Sequence, residues 1–254
     1  MSVLKAENLT MQFGGLTAVS NFSIDIGKND LMGLIGPNGA GKTTVFNMLT
    51  GVYAPTSGEI YFDDENITGL KPYEITQKRI ARTFQNVRLF KDLSVLDNVK
   101  ISLNYQLSSG LFDTVVRTPK FKKSEKEIEE KAIECLKVFK LEDKTKELAK
   151  NLPYGEQRRL EIARALAAKP KLLLLDEPAA GMNPQETTAL MHLIKWIKDH
   201  FNISILLIEH DMKLVMGICE KIVVLDYGKI LAVGTPEEVK SNPEVIKAYL
   251  GEGA

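Results

Sequence analysis

The chain has 254 residues, of which 44% are apolar and 26% are charged, as is usual for a soluble globular protein. Lys plus Arg and Asp plus Glu both number 33, so the formal net charge is zero and provides no general attraction to nucleic acid or to anionic lipid. No stretch approaches the ~18 consecutive apolar residues that predict a membrane-spanning helix, and the amino terminus lacks the charged-then-apolar layout of a signal peptide. We therefore expect a cytoplasmic protein that does not bind nucleic acid.

The amino-terminal part is predicted to form strands. Residues 3–13 and 17–26 flank Gly14-Gly15, which is a hairpin signal, so an antiparallel β portion is expected here. Residues 31–35 form a short apolar strand that leads into a glycine-rich loop. Residues 42–50 are predicted to form the helix that follows this loop.

The middle of the chain has a different character. From about residue 95 to residue 150, glycine is rare and charged residues are dense. Ser124 and Glu127 form a capping box that predicts the start of a helix. The apolar residues that follow recur at helical spacing, namely Ile128, Ala132, Cys135, Leu136 and Phe139. We predict a helical lobe over residues 87–165, inserted into an α/β core formed by residues 1–86 and 166–254.

The last hundred residues alternate between the two kinds of element. Helices are predicted over residues 155–168, 184–200 and 211–218, and strands over residues 171–176, 203–209 and 221–226. Such alternation is typical of a mostly parallel sheet with helices on its faces. The predicted fold class is therefore α/β, with an antiparallel β portion at the amino end.

Residues 36–44 match the pattern G-x-x-x-x-G-K-[ST] and lie between a predicted strand and a predicted helix, as a phosphate-binding loop (P-loop) requires. Glycines let backbone N–H groups turn inward around phosphates, and the positive end of the helix dipole points at the same place. Lys42 is expected to reach the β- and γ-phosphates, and the Thr43 hydroxyl to ligate Mg²⁺. No Asn-Lys-x-Asp element that would bind guanine is present, so ATP is favoured. The predicted nucleotide-binding residues here are Gly36, Asn38, Gly39, Ala40, Gly41, Lys42, Thr43 and Thr44.

Two acidic residues end the strand predicted over residues 171–176. Four leucines precede them, which fits a central strand buried on both faces, and ligands of such sheets bind outside the carboxyl ends of the strands. Asp176 suits the coordination sphere of Mg²⁺, and Glu177 is placed to polarise the water that attacks the terminal phosphate. This pair of residues predicts that the nucleotide is hydrolysed.

The segment over residues 151–166 carries a more specific pattern. It contains Leu152-Pro153-Tyr154-Gly155-Glu156-Gln157, followed by Arg159-Leu160-Glu161-Ile162-Ala163-Arg164-Ala165-Leu166, and it resembles the signature motif and signature helix of ABC ATPases. Further matches to this family follow its order along the chain at Phe13, Gln85 and His210, and residues 180–184 lie where the family has its D-loop. The resemblance extends over nearly the whole chain and implies a P-loop (RecA-like) core.

The resemblance also implies roles for individual residues. Phe13 would stack on adenine, Gln85 would contact the metal ion and link the site to the helical lobe, and His210 would hold the γ-phosphate. Two cassettes of this family pair head to tail, so Gly155 and its neighbour Glu156 would contact ATP held by a second cassette. The implied catalytic residues are Lys42, Gln85, Glu177 and His210.

Two positions depart from the family pattern. Pro153 replaces the usual signature serine, which removes a hydroxyl and one backbone N–H. Asn183 replaces the D-loop aspartate, which removes a negative charge from the dimer interface. Neither departure changes Lys42 or Glu177, so hydrolysis is still expected.

Several segments resemble one branch of the family, the ATP-binding subunits of branched-chain amino acid importers. These segments are residues 152–164, 176–184, 208–216, 234–238 and 242–251. The implied partners are a second cassette, either this chain or a paralogue, and polytopic permease subunits in the membrane, through which a solute-binding protein would act. The chain would then lie at the cytoplasmic face of the cell membrane.

Two alternatives to transport remain open. One is a soluble single-cassette ABC ATPase that acts in cofactor assembly or in another non-transport process. The other is a nucleotide-binding regulator that does not hydrolyse ATP, which the intact Glu177 and His210 disfavour.

Overall fold

The computed structural model of the chain describes residues 2–104 and 119–250. The chain divides into two compact units, one drawn from Met1–Gln85 and Lys171–Ala254 and the other from Asn86–Pro170. Whether these units correspond to the predicted domains, with a lobe over residues 87–165, stays a prediction. None of the helices in the described ranges combines the length and the hydropathy that a bilayer-spanning helix needs.

Two sheets organise the first unit. Their strands are β1 Ser2–Phe13, β2 Leu16–Gly27, β3 Leu31–Ile35, β4 Ser57–Phe62, β5 Glu65–Asn66, β6 Ile80–Arg82, β7 Leu172–Asp176, β8 Ser204–Ile208, β9 Lys221–Asp226 and β10 Lys229–Gly234. An antiparallel sheet has the order β2-β1-β4-β5, and a six-stranded sheet has the order β10-β9-β3-β8-β7-β6. In the larger sheet all neighbouring strands are parallel except β10 and β9. This arrangement confirms the predicted α/β fold class and the antiparallel β portion.

Burial explains why the strands of the larger sheet differ from those of the smaller one. Every residue of β3, β7 and β8 is buried, as expected for parallel strands covered on both faces. In β2 the buried and exposed residues alternate from Phe22 to Ile26, because one face of the antiparallel sheet meets the core and the other meets water. The carboxyl ends of β3, β7 and β8 therefore meet at one edge of a rigid, buried sheet.

The helices confirm most of the predicted ones, with ends that differ by one or two residues. Their bounds are α1 Lys42–Leu49, α2 Pro72–Gln77, α3 Val95–Asn104, α4 Pro119–Val138, α5 Tyr154–Ala167, α6 Pro184–Phe201, α7 Met212–Ile218, α8 Pro236–Ser241 and α9 Pro243–Leu250. The helix start predicted at Ser124 is wrong, because residues 119–123 already belong to α4.

The second unit is built from α3, α4 and α5. Val95, Val99, Leu136 and Leu160 are fully buried and form part of its apolar core. A buried ion pair lies within α5, where Arg158 Nη1 is 2.9 Å from Glu161 Oε2. The same carboxylate accepts a hydrogen bond from the Arg88 N–H through Oε1 at 2.9 Å, so the buried charges of this unit are paired.

Candidate active site

The loop over residues 36–44 connects β3 with α1, and a side chain at two of its glycines would be strained. Gly36 has φ +151°, and a Cβ placed there would lie 2.0 Å from the Leu225 carbonyl oxygen. Gly41 caps α1 with φ +103°, and a Cβ there would lie 2.8 Å from the Ala18 carbonyl oxygen. The loop therefore needs glycine both for its backbone conformation and for its close approach to neighbouring chain segments.

Lys42, the first residue of α1, is buried with 6% of its surface exposed. Its Nζ donates hydrogen bonds to the carbonyl oxygens of Gly36 at 2.7 Å and Pro37 at 2.9 Å. Burial lowers the pKa of this ammonium group, while the charges of Glu177 and Asp176 act in the opposite direction. A phosphate in the loop would place anionic oxygens beside this buried cation, which favours tight binding because few waters screen the charge.

Asp176, the last residue of β7, is also buried. Its Oδ2 lies 2.9 Å from Arg82 Nη2, and its N–H donates to the Thr83 hydroxyl oxygen at 3.3 Å. Both contacts come from β6 and the residue that follows it, which lie beside β7 in the sheet. The Asp176 carboxylate, which is predicted to bind magnesium, is thus held in place by a neighbouring strand.

Glu177 follows directly and is held by two side chains. Its Oε2 accepts a hydrogen bond from Gln85 Nε2 at 2.8 Å, and its Oε1 lies 2.9 Å from His210 Nε2. The φ of Glu177 is +47°, a left-handed conformation that costs a non-glycine residue about 1–2 kcal/mol. The structure therefore brings together three predicted catalytic residues that are far apart in sequence, and it places one of them in a strained conformation.

Glu209 is a residue of this site that sequence reasoning missed. It is buried at the end of β8, where Oε1 accepts from the Ala179 N–H at 2.7 Å and Oε2 accepts from the His210 N–H at 3.0 Å. Burial raises the pKa of its carboxyl group, and the backbone N–H donors oppose that shift. This side chain connects the segment after Glu177 to the loop that carries His210. Its position after an apolar strand is visible in the sequence, but that position does not specify the backbone groups that it binds.

A cavity of about 420 Å³ lies beside the loop. Its lining residues are Leu16, Thr17, Ala18, Asn38, Gly39, Ala40, Gly41, Lys42, Thr43, Thr44, Gln85, Glu177, His210 and Tyr227. Phe13 is not among these lining residues; its ring packs edge-to-face on Tyr53 with centroids 5.3 Å apart, so its contact with adenine stays a prediction. Sequence reasoning missed Leu16, which begins β2 directly after the Gly14-Gly15 turn, and Tyr227, which lies in the turn between β9 and β10.

The carboxyl-terminal helix also reaches the loop. Burial raises the pKa of the Tyr249 phenol of α9 to about 12, and the backbone N–H of Gly36 opposes that shift. No sequence pattern singled out Tyr249, because a lone aromatic residue in a short helix has many possible contacts.

Three side chains carry oxygen atoms that suit Mg²⁺: the Thr43 hydroxyl, the Asp176 carboxylate and the Gln85 amide. In residues 2–104 and 119–250, no group of three His, Cys, Asp or Glu residues stands close enough to hold a metal ion. Magnesium usually keeps several waters and is held by one or two carboxylates plus substrate phosphates, so this small set of oxygen donors fits it.

The predicted signature residues begin α5 in the second unit. Pro153 is the residue before the helix, with ψ 151° and no side-chain cap, and its carbonyl oxygen accepts from the Glu156 N–H at 3.0 Å. The Glu156 carboxylate lies 2.5 Å from Lys144 Nζ, so its charge is balanced within this unit. Gly155 lies in the first turn of α5, where the positive end of the helix dipole is. The contacts of Gly155 and Glu156 with a nucleotide stay predictions.

Asn183, the second departure from the family pattern, caps α6. Its side chain accepts hydrogen bonds from the Gln185 N–H at 3.0 Å and the Glu186 N–H at 2.9 Å. Glu186 in turn accepts from the Asn183 N–H, which completes a capping box. Asparagine therefore keeps the structural role that an aspartate would have here, without its charge.

Comparison with known proteins gives consistent matches over the whole chain. A family model described as ABC transporter matches residues 19–180, and one described as branched-chain amino acid ATP-binding cassette transporter matches residues 229–254. The high-affinity branched-chain amino acid transport ATP-binding protein LivG of Salmonella typhimurium is 49% identical over 250 residues, which are 98% of each chain.

Two solved structures are also similar. The ADP conformation of MJ1267, an ATP-binding cassette of an ABC transporter, has a TM-score of 0.86 at 32% identity and covers 99% of this chain and 100% of that one. The dimeric structure of MJ0796, a bacterial ABC transporter cassette, has a TM-score of 0.78 at 26% identity and covers 92% of this chain and 98% of that one.

Proposed function

Because the chain belongs to the ABC transporter family, we propose that it is the ATP-hydrolysing subunit of a membrane importer for branched-chain amino acids. Membership in the family confirms the resemblance found in the sequence and makes the chain an ATP-binding cassette with ATPase activity. The observation that carries the proposal is the bridge from Gln85 through Glu177 to His210 beside the glycine-rich loop. The match of residues 229–254 and the identity with LivG support branched-chain amino acids as the transported class.

The chain's own residues would share the work of hydrolysis. The backbone N–H groups of the loop and the Lys42 ammonium would bind and orient the β- and γ-phosphates. The Glu177 carboxylate would accept the proton of the attacking water, a role that typically contributes about 10²–10⁴-fold to a rate. Gln85 and His210 would keep that carboxylate in one orientation, since each is already within hydrogen-bond distance of one of its oxygens.

A magnesium ion, when bound, would neutralise charge on the phosphate oxygens. Thr43, Asp176 and Gln85 would hold it. Asp176 is suited to this because its position at the end of a buried strand is fixed by contacts with β6 and Thr83.

Partners follow from the same proposal. We infer that a second cassette, either this chain or a paralogue, supplies Gly155 and Glu156 to the ATP held by the first, and the dimeric structure of MJ0796 supports such pairing. The amino-terminal end of α5 suits a phosphate, because its dipole is positive there and the first turn contains Gly155. Polytopic permease subunits would receive the resulting motion and a solute-binding protein would deliver the cargo, and the chain would then lie at the cytoplasmic face of the membrane.

Two measurements in the source organism test this function. In a strain that lacks the chain, uptake of radiolabelled leucine, isoleucine and valine should fall, while uptake of an unrelated solute such as glucose should not. The wild-type chain should restore uptake, and Lys42→Ala should not. A tagged chain should also co-purify with two polytopic membrane proteins and a second cassette. If only soluble proteins co-purified, the transport proposal would be wrong, and a role as an assembly factor would be the better interpretation.

A further inference from the structure

Arg82, the last residue of β6, is one of the most enclosed charged residues of the first unit. Its side chain is 7% exposed, and that of Asp176, with which it pairs, is 5% exposed. The guanidinium lies over two aromatic rings, with Cζ 4.9 Å from the centroid of Phe84 and 5.5 Å from the centroid of Phe46. These aromatic contacts add to the ion pair in holding the guanidinium.

The two ends of this guanidinium bind different parts of the fold. Nη2 lies 2.9 Å from Asp176 Oδ2, whereas Nη1 donates to Asn47 Oδ1 at 2.7 Å and to Thr50 Oγ1 at 3.1 Å. Asn47 lies in α1, the helix that begins at Lys42, and Thr50 is the residue after it. One side chain therefore joins the phosphate-loop helix, β6 and the acidic end of β7.

Stability alone is a weak reason for this arrangement. Taking an arginine and an aspartate out of water costs free energy that their attraction often fails to recover, and apolar residues of similar size can replace such a pair without loss. The planar guanidinium has another effect, however. It binds one carboxylate oxygen through Nη2 and two neutral acceptors through Nη1, and so it fixes where the carboxylate lies. Lysine cannot do the same, because its ammonium group does not have two separate, coplanar N–H donor ends.

We infer that Arg82 is a positioning residue that holds Asp176 in the orientation needed to bind magnesium. The inference rests on the proposed function, in which Asp176 serves that ion. Arg82 binds Oδ2, so the metal or one of its waters would bind at Oδ1. Because α1 also binds the guanidinium, the position of the Asp176 carboxylate is fixed relative to the loop that binds the phosphates.

Binding of a fluorescent ATP analogue tests this inference, measured first in EDTA and then as a function of Mg²⁺ concentration. Arg82→Gln and Arg82→Lys should leave the affinity in EDTA within about twofold of wild type. The Mg²⁺ concentration at half-saturation should rise by roughly 10–100-fold, as is typical when a residue that orients a metal ligand is removed. Lys78→Gln is the matched control, because it removes the cation of an exposed ion pair with Glu65 on the same part of the chain.

A double-mutant cycle separates positioning from a general loss of structure. In an Asp176→Asn background, Arg82→Gln should cause no further change in the Mg²⁺ midpoint, because the residue through which Arg82 acts is already altered. If Arg82→Gln alone unfolds, the double variant shows whether the unpaired charge of Asp176 is the cause, because it removes both buried charges. The Mg²⁺ midpoint of Arg82→Lys is then compared with that of wild type.

Two results would overturn the inference alone, and a third would overturn the proposed role of Asp176 on which the inference rests. If Asp176→Asn moved the Mg²⁺ midpoint while both Arg82 variants stayed within twofold of wild type, Arg82 would not position the carboxylate. A tighter Mg²⁺ midpoint in Arg82→Gln would also overturn it, because only the positive charge would then matter. If Asp176→Asn itself had no effect, the proposed magnesium role of Asp176 would be wrong, whatever Arg82 does.

Discussion

Replacing Glu177 with glutamine should separate catalysis from structure at this site. The carboxylate takes part in two contacts, with Gln85 Nε2 at 2.8 Å and His210 Nε2 at 2.9 Å. A glutamine amide can keep both contacts, since its oxygen accepts from Gln85 and its NH₂ can donate to His210 Nε2 in the tautomer that carries its proton on Nδ1. The side chains have the same length, so the variant should retain the geometry and lose only the charge and the basic oxygen.

The expected magnitudes of the two effects differ widely. Because both hydrogen bonds persist and a typical one contributes only about 0.5–1.5 kcal/mol, the free energy of unfolding should change by less than ~1 kcal/mol. Loss of a general base lowers turnover by about 10²–10⁴-fold, which raises the activation free energy by roughly 3–5 kcal/mol. Activity should therefore fall far more than any loss of folded protein can explain.

Steady-state phosphate release and thermal unfolding, measured on the same preparation, provide the assay. Glu177→Gln should bind the ATP analogue normally and turn it over at least a hundredfold more slowly, with a Tm within about 3 °C of wild type. Glu129→Gln, on the exposed face of α4, removes the same charge elsewhere and should change neither value. Turnover at the wild-type rate in Glu177→Gln would refute the assigned role of this carboxylate.

Three further predictions concern the loop, a helix cap and the thiols. Gly41→Ala should weaken binding of the ATP analogue by at least about tenfold, because its φ is +103° and a Cβ meets a backbone carbonyl; unchanged affinity would contradict this. Asn183→Ala should lower the free energy of unfolding in urea by about 0.5–2 kcal/mol, whereas Asn183→Asp should not. Burial raises the pKa of Cys135 and of Cys219 from 9.0 to about 12, so the unfolded chain loses these protons first and stability should fall as the pH rises from 9 toward 12. Cys219 is buried and should resist alkylation in the native protein at pH 8, whereas the half-buried Cys135 should react faster than Cys219; rapid labelling of Cys219 would count against its burial.

Much of the fold could be predicted because its signals are local. The run of leucines in β7 indicates a buried strand, and the glycine pattern after β3 requires one loop conformation whatever the rest of the chain does. The three-residue β6 gave no such signal, since it is too short for any periodicity and is held as a strand by pairing with β7. The start of α4 was misplaced for a related reason. A Ser-x-x-Glu pattern inside a helix looks the same in sequence as a capping box at the first turn of a helix.

The site could be predicted in part, through motifs whose residue types are dictated by phosphate chemistry. Lys42, Asp176 and Glu177 belong to this class. Arg82, which binds Asp176, and Glu209, which binds the Ala179 N–H, could not be found this way, because their roles depend on partners supplied by distant segments. A single arginine or glutamate beside an apolar strand has no distinctive pattern until the strands are aligned in the sheet.

The place of β3 in the sheet has a consequence for how the chain is made. Its neighbours are β8 and β9, so Leu31 pairs with Ile205 and Ile35 with Val224. During synthesis this fully buried strand emerges early and waits for partners that are translated after position 200, with its apolar side chains and unpaired backbone groups exposed. Nascent chains that stall before β8 should therefore be prone to aggregation, and the nucleotide loop that depends on β3 can form only after β8 and β9 have been translated.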